Sequence, residues 1–407
     1  MSKVSRKNQI RRNLIQRALL ENGSMSISEL KEKTGMTLPV VTSLVQSIKK
    51  KNFIVDVEQT KKNSVGRPPA LIKLNGKAGY VLGIDLDRVY TKFILLDLEQ
   101  NVIADIDKKI SFLSNDISIL KILKNEITKI IESHNIKWSD LLGIGISIPG
   151  IVNSLEGTSK TYLNFGDKPI RDVLNEYFKI PVHIEHDVKA LTLGELGFGP
   201  AKNKKNVLCL KIDWGIGLGI IISGSLYYGS DSLAGEFGHI QVIPKGGELC
   251  YCGKKGCLET VASGRSITKN AVDRLSKGES SLLVDKYKGD LSSIDSRAIV
   301  KAAIEGDQFS LEILEEVAKH IGTASAILVN VFNPECIVLS GNVASTAPDL
   351  FVETIRANAV KSSHSQLSKD LKFIVSDLGF KAGALGVAML VNKELFDIDH
   401  LTPWAYV

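Results

Sequence analysis

The sequence predicts an α/β protein in which a small helical segment, ending in two strands, precedes a larger body with mixed sheets. Three observations lead to this prediction: positive charge collects near the N-terminus, a helix-turn-helix pattern occupies the same segment, and a strand triplet followed by helices occurs twice in the remainder. The chain has 407 residues, enough for two or three domains. Its hydrophobic content of 44% and charged content of 24% are ordinary for a globular protein.

The charge is distributed unevenly along the chain. Residues 1–74 contain 15 Lys and Arg against 5 Asp and Glu, whereas the remaining residues contain 36 basic and 40 acidic side chains. A strongly basic segment joined to a nearly neutral body is typical of a DNA-binding domain attached to another domain.

The basic segment contains the pattern of a helix-turn-helix. Apolar residues at helical spacing predict helices over 8–21, 26–34 and from 37 or 38 to about 51. Ser26 and Glu29 have the spacing of a capping box at the start of the second helix. A short helix, a glycine turn and a further helix together favour DNA binding, with the third helix in the major groove.

Two predicted strands, 53–58 and 70–74, flank a basic tip over 61–69 and form a wing. Within that tip, Arg67 stands between Gly and Pro, in an extended shape suited to a minor groove. The residues predicted to contact DNA are Thr37, Pro39, Thr42, Ser43, Gln46, Lys49 and Arg67. The alternative interpretation is a helical protein-interaction module with a solvated basic face.

The body repeats one pattern. Strands are predicted over 80–86, 92–97 and 102–105, and again over 207–213, 219–223 and 225–228. A helix and a buried strand follow each triplet, at 117–133 and 142–148 in the first copy and at 310–331 and 336–340 in the second. This order predicts two α/β lobes with mixed sheets and a ligand-binding cleft between them.

One histidine and three cysteines form a candidate metal site: His239, Cys250, Cys252 and Cys257. Three thiolates and one imidazole are the ligand set of a closed, structural Zn2+ site. Because four protein ligands leave no open position for water, catalysis at the metal is not expected. The alternative is a group of buried thiols without a metal.

Polar residues at predicted strand ends form a candidate ligand site. They are Asn164, His186, Asp187, Glu236, His239 and Glu259. Carboxylates accept strong hydrogen bonds from neighbouring hydroxyl groups, so a monosaccharide is the expected ligand.

These motifs resemble the ROK family of repressors and sugar kinases. The resemblance rests on Glu236-Phe237-Gly238-His239, on the cysteine motif that ends in Glu259, on the wing sequence Gly66-Arg67-Pro68-Pro69, and on the glycine pattern over 382–386. It is strongest to the xylose-repressor-like and N-acetylglucosamine-repressor-like members. It implies a two-lobed actin/hexokinase-like (ribonuclease H-like) body. The domains are then 1–74 for the winged helix-turn-helix, 78–190 for lobe 1 and 191–407 for lobe 2, with a C-terminal helix that can return to lobe 1.

The resemblance also assigns roles, and this sequence departs from them at several positions. Asp187 matches the general base of the family's kinases, whereas Glu236, His239 and Glu259 match its sugar contacts. The first phosphate loop of the kinases is replaced here by Asp85-Leu86-Asp87-Arg88-Val89, which loses two glycines and a threonine. Lys189 replaces a further Asn, which suggests an acidic or phosphorylated ligand. We therefore expect no kinase activity, because phosphoryl transfer depends on positioning the phosphates.

The predicted function is a sugar-responsive transcriptional regulator, a repressor of carbohydrate-use genes that a monosaccharide or its derivative releases from an operator in double-stranded DNA. We expect a homodimer or homotetramer. We expect it in the cytoplasm, since no apolar run approaches the roughly 20 residues that span a membrane. Two alternatives remain at this point: an ATP-dependent sugar kinase with an added DNA-binding arm, and a regulator that senses a partner protein through the same body.

Overall fold

The structure is a computed structural model that describes residues 3–57, 70–347 and 349–396. The chain divides into two compact units. The first contains Met1–Gly150, Glu156–Glu185 and Val387–Val407, and the second contains Ile151–Leu155 and His186–Gly386. The first unit therefore includes the segment predicted to bind DNA. The three-domain boundaries given above stay a prediction.

The described residues form both helices and strands. The helices are α1 (Lys3–Asn22), α2 (Ile27–Thr34), α3 (Leu38–Lys50), α4 (Ile119–Ser133), α5 (Ile170–Phe178), α6 (Asp187–Phe198), α7 (Glu259–Ala262), α8 (Gly264–Leu275), α9 (Leu282–Lys286), α10 (Ser296–Ile304), α11 (Gln308–Phe332), α12 (Asn342–Thr346), α13 (Asp349–Ser362), α14 (Ser365–Ser368) and α15 (Ala382–Leu395). The strands are β1 (Met25–Ser26), β2 (Ile54–Asp56), β3 (Leu71–Leu74), β4 (Tyr80–Leu86), β5 (Thr91–Asp97), β6 (Val102–Lys108), β7 (Leu141–Ile148), β8 (Val152–Asn153), β9 (Thr158–Ser159), β10 (Val182–His186), β11 (Val207–Ile212), β12 (Ile216–Ile222), β13 (Ser225–Leu226), β14 (Cys336–Ser340) and β15 (Lys372–Val375).

The N-terminal segment forms the predicted helix-turn-helix. The capping box is confirmed: the Ser26 hydroxyl accepts a hydrogen bond from the Glu29 N–H, and the Ser26 N–H donates to the Glu29 carboxylate. Gly35 ends α2 with a φ of 67°, a left-handed conformation that favours glycine. Strands β2 and β3 pair in antiparallel fashion, as expected for a wing, and the two-residue strand β1 extends their sheet. The sequence did not predict β1.

The hydrophobic core of this segment continues into the rest of the first unit. Buried side chains of α1, α2 and α3 pack in one cluster with Leu98 and with Phe396, which follows α15. The Gln100 side chain donates a hydrogen bond to the backbone carbonyl of Leu20 at 3.1 Å. The segment predicted to bind DNA is therefore packed against the remainder of its unit.

Each unit contains a five-stranded sheet with the same arrangement. The strand order is β10-β7-β4-β5-β6 in the first unit and β13-β12-β11-β14-β15 in the second. In both sheets the first strand of the triplet pairs antiparallel with the second and parallel with the strand that follows the helices. This confirms the predicted mixed sheets and the internal repeat.

Close backbone packing positions α15 on the sheet of the first unit. A Cβ atom on Gly145 of β7 would lie 2.3 Å from the carbonyl oxygen of Val387, so only glycine fits there. In the second unit, α11 and α13 pack together and contribute Ile313, Ile321 and Ile355 to a large apolar core. Within the described ranges, every helix is too short or too polar to cross a lipid bilayer.

Candidate functional site

The four predicted metal ligands lie together in the second unit. The ligand atoms of His239, Cys250, Cys252 and Cys257 are all within 4.8 Å of one another. The Sγ atoms of Cys252 and Cys257 are 3.6 Å apart, and the Sγ atom of Cys250 is 3.5 Å from Nδ1 of His239. Tetrahedral thiolates around a single zinc ion are separated by roughly 3.8 Å, so the cluster has the size of a one-ion site.

The loop that carries the cysteines folds back tightly on itself. Antiparallel bridges join Gln241 to Cys257 and Leu249 to Lys255. Gly256 has a φ of 73°, and a Cβ there would lie 1.9 Å from the carbonyl oxygen of Ile243. A glycine is therefore required for the backbone to make this turn.

Burial keeps part of this cluster protonated when no cation is bound. Burial and the two neighbouring thiols raise the pKa of Cys257 to about 12. A thiolate at this position needs a positive partner, which a bound metal ion supplies.

His239 presents its two ring nitrogens to different neighbours. Nδ1 faces the Cys250 thiol, whereas Nε2 lies 2.9 Å from the Oη atom of Tyr251 and 3.7 Å from a carboxylate oxygen of Glu236. If Nδ1 binds a metal, the ring proton is fixed on Nε2, which becomes a hydrogen-bond donor on the side away from the metal.

The two predicted acidic sugar contacts flank this histidine in sequence but differ in environment. Glu236 is exposed, whereas Glu259 is half-buried at the start of α7 and accepts a hydrogen bond from the Ile216 N–H at 3.2 Å. Burial raises the pKa of Glu259, although the Ile216 N–H and the His239 charge oppose the change. Glu236 is thus presented to solvent and Glu259 is held in place.

Asp187 lies at the start of α6 within a group of hydrogen-bond donors. Its carboxylate is 2.7 Å from Nζ of Lys211 and 3.2 Å from Nε2 of His186, and it accepts a hydrogen bond from the Val188 N–H at 2.8 Å. Burial alone would raise the pKa of Asp187, but the charges of Lys211 and His186 lower it to about 2. Asp187 is therefore ionised at neutral pH.

Lys211 is the partner of Asp187 that the sequence did not predict. The only signal is one charged residue within an otherwise apolar stretch, Val207–Ile212. Lys189, which the sequence links to an acidic ligand, is buried, and its ammonium donates to the backbone carbonyl of Ser232 at 2.8 Å. That link stays a prediction.

Asn164 belongs to the first unit. It lies on an exposed loop between β9 and α5, where its backbone N–H donates to the Asn115 side chain at 3.0 Å. Its predicted sugar contact stays a prediction.

We call the segment that joins β11 to β12, over 213–215, the second glycine loop. One of its own side chains supplies a negative charge. The Asp213 carboxylate accepts hydrogen bonds from the Trp214 N–H at 2.9 Å and from the Asn342 side chain at 2.8 and 3.0 Å. Backbone N–H groups in such loops are the usual partners of phosphate oxygens. In this chain the Asp213 carboxylate already accepts a hydrogen bond from one of these N–H groups, that of Trp214.

The predicted DNA-contacting face of α3 is accessible. Thr37, Pro39, Ser43, Gln46 and Lys49 are exposed and Thr42 is partly exposed. The opposite face, with Val41, Leu44, Val45 and Ile48, is buried. Lys49 also forms an ion pair with Asp56. Arg67 lies outside the described residues.

The fold and these residues define a class: a winged helix-turn-helix joined to a body with two similar sheets and a His/Cys cluster. The sequence pattern of the ROK family matches residues 81–394, and the chain belongs to this family. A xylose repressor from Bacillus spizizenii is 30% identical over 393 residues, which cover 96% of each protein.

Two solved structures extend the comparison. A ROK family transcriptional regulator, described as a homolog of the E. coli MLC protein, has a TM-score of 0.80 and 26% identity, and covers 96% of this chain and 98% of its own. A ROK family glucokinase from Streptomyces griseus, in complex with glucose and AMPPNP, has a TM-score of 0.66 and 26% identity, and covers 77% of this chain and 99% of its own. The similarity to the regulator includes the N-terminal segment.

Proposed function

We propose that this protein is a sugar-responsive transcriptional repressor of carbohydrate-use genes. The observation that carries the proposal is the winged helix-turn-helix with an exposed α3 face, on the same chain as a ROK body. The similarity to a xylose repressor and to a ROK family regulator over almost the whole chain supports it. A cytoplasmic location is part of the proposal.

In this proposal α3 enters the major groove of an operator in double-stranded DNA. The residues that face the base edges are Thr37, Pro39, Thr42, Ser43 and Gln46. Lys49 breaks its ion pair with Asp56 and contacts a phosphate instead. Arg67 is proposed to reach the minor groove. A homodimer or homotetramer would present two such helices to half-sites about 34–36 Å apart.

The effector is proposed to be a monosaccharide or a sugar derivative. Asp187, Glu236 and Glu259 supply acceptors for its hydroxyl groups, and His239 supplies a donor. His186, whose ring lies beside Asp187, completes the proposed set in the second unit.

A structural zinc ion is proposed to bind His239, Cys250, Cys252 and Cys257. Zinc fits the compact set of three thiols and one imidazole better than calcium or magnesium, which prefer oxygen ligands. When bound, the ion would fix the ring of His239 and the loop around it. It would thereby orient a sugar contact without taking part in chemistry.

The alternative, an ATP-dependent sugar kinase with a DNA-binding arm, is disfavoured by two local features. A general base works best with a pKa near the operating pH, and an Asp187 pKa of about 2 makes that carboxylate a poor proton acceptor. In addition, the Asp213 carboxylate occupies an N–H of the second glycine loop and would repel phosphates. We therefore propose that the body binds a sugar without phosphorylating it.

Two assays on the full-length, zinc-loaded protein separate these functions. Fluorescence anisotropy with DNA from upstream of the protein's own coding sequence should give tight binding that D-xylose, D-glucose or N-acetyl-D-glucosamine weakens. A coupled assay for ADP release with the same sugars should give no turnover above background. Turnover at ordinary kinase rates, of about 1–100 per second, would contradict the proposal.

A further inference from the structure

Tyr251 is placed unusually between two of the metal-ligand cysteines. Its Oη atom lies 2.9 Å from Nε2 of His239, and the two rings meet edge to face with centroids 4.9 Å apart. The residue is nonetheless 72% exposed. The phenol therefore covers the histidine from the solvent side and is not held in a core.

The neighbouring atoms define what Nε2 can do. With Nδ1 facing the Cys250 thiol, Nε2 is the ring atom that remains for a partner other than a metal. Once a metal fixes the proton on Nε2, the Tyr251 oxygen is its nearest acceptor and the Glu236 carboxylate, at 3.7 Å, is the next. One N–H cannot make a full hydrogen bond to the phenol and to a ligand at the same time.

We propose that Tyr251 is a specificity-determining residue that occupies the His239 N–H in the sugar-free protein and is displaced when a sugar hydroxyl takes its place. This inference rests on the proposed function, because it concerns the same site. A hydroxyl group suits the exchange because it accepts from Nε2 and donates to the Glu236 carboxylate. A carbonyl or ether oxygen accepts only, so it would leave Glu236 unsatisfied.

The position of Tyr251 in the chain explains how an exposed side chain can cover the histidine reproducibly. The residues on both sides, Cys250 and Cys252, belong to the metal cluster. A bound ion would therefore fix the backbone of Tyr251 while its exposed ring stays free to rotate. The metal would thereby keep His239 and the backbone of Tyr251 at a fixed distance from each other.

The test compares the zinc-loaded wild-type protein with Tyr251→Phe by isothermal titration calorimetry, using D-xylose, D-glucose and N-acetyl-D-glucosamine. Removing the phenolic oxygen leaves the ring and removes the competitor for Nε2. Since one hydrogen bond is exchanged for another, the variant should bind the effective sugar about three- to tenfold more tightly. The sugar concentration that releases operator DNA should fall by the same factor.

Tyr287→Phe is the matched control, because Tyr287 packs against the core of the second unit at the end of α9. It should leave the Kd for sugar unchanged, and both variants should retain one zinc per chain by atomic absorption. If the wild type binds a sugar and Tyr251→Phe binds it equally or more weakly, this inference is overturned while the proposed function stands. Binding of none of the three sugars to either protein would overturn both.

Discussion

The ion pair between Lys211 and Asp187 gives a quantitative prediction. Replacing Lys211 with Met keeps most of the apolar side chain and removes its charge. The Asp187 carboxylate would then lose its 2.7 Å partner and keep the Val188 N–H and the nearby His186 ring. Both members of the pair are largely shielded from water, with 21% and 16% of their side chains exposed.

The magnitude follows from the pKa of Asp187. A fall from the ordinary value of 3.8 to about 2 corresponds to about 2 kcal/mol of stability at neutral pH. Because burial opposes the fall in pKa, the favourable interactions of Asp187 with Lys211 and His186 together contribute more than this free energy. We expect Lys211→Met to lower the free energy of unfolding by about 2 kcal/mol. Adding Asp187→Asn should recover about 1 kcal/mol, since the unpaired charge is removed.

The pH dependence has a defined sign. The pKa of Asp187 is lower in the folded protein than in the unfolded chain, so its contribution is complete above pH 3.8 and is lost as the pH falls toward 2. The wild type should therefore lose stability relative to Asp187→Asn within this interval. The charged and titratable groups that contact the carboxylate are Lys211 and His186.

Urea unfolding of the wild type, both single variants and the double variant, followed by circular dichroism, measures the coupling at pH 7. Thermal unfolding between pH 2 and pH 5 measures the pH dependence. If the two substitutions add without coupling, or if Lys211→Met is as stable as the wild type, the Asp187 carboxylate is not held by Lys211. The argument against a general base at this position would then fail.

Three further predictions concern the metal cluster, the first unit and the DNA. Cys257→Ser should lose zinc, stability and the sugar response together. Cys336→Ala, at a buried thiol outside the cluster, should keep its zinc and its sugar response. Unchanged zinc and sugar response in Cys257→Ser would refute the bracing role. Phe396→Ala should cost about 3 kcal/mol in thermal unfolding because it leaves a cavity in the cluster that contains the helix-turn-helix, and Phe396→Leu should cost less. Gln46→Ala should weaken operator binding by about 1 kcal/mol in anisotropy titrations. The control Glu32→Ala, on α2, should leave operator binding unchanged. Equal effects of the two substitutions would place the base contacts elsewhere.

Local patterns in the sequence predicted most of the fold. The spacing of Ser26 and Glu29 located the start of α2, and the strand patterns located the four strands of each repeat to within a few residues. Strand β15 was not predicted. Motif spacing was also sufficient to group His239 with the cysteines, because all four residues lie within one short stretch. These features depend on neighbours in sequence, which periodicity and spacing record.

Contacts between distant residues were not predictable in the same way. Nothing in the local pattern pairs Phe396 with the helix-turn-helix core, or Lys211 with Asp187. The hydrogen bonds of Asp213 depend on Asn342, which is 129 residues away. Such pairs form only when the sheets bring separate elements together, and one charged residue in an apolar strand does not specify its partner.

If one protein couples sugar binding to DNA binding, each ligand must change the affinity for the other by the same factor. Titration calorimetry would give the Kd for the effective sugar with the free protein and with the operator-bound protein, and anisotropy would give the Kd for the operator with and without saturating sugar. Thermodynamic linkage requires both ratios to be equal, and we expect a factor of about 5–150. A sugar that binds with the same Kd to the free and the operator-bound protein would contradict the coupling.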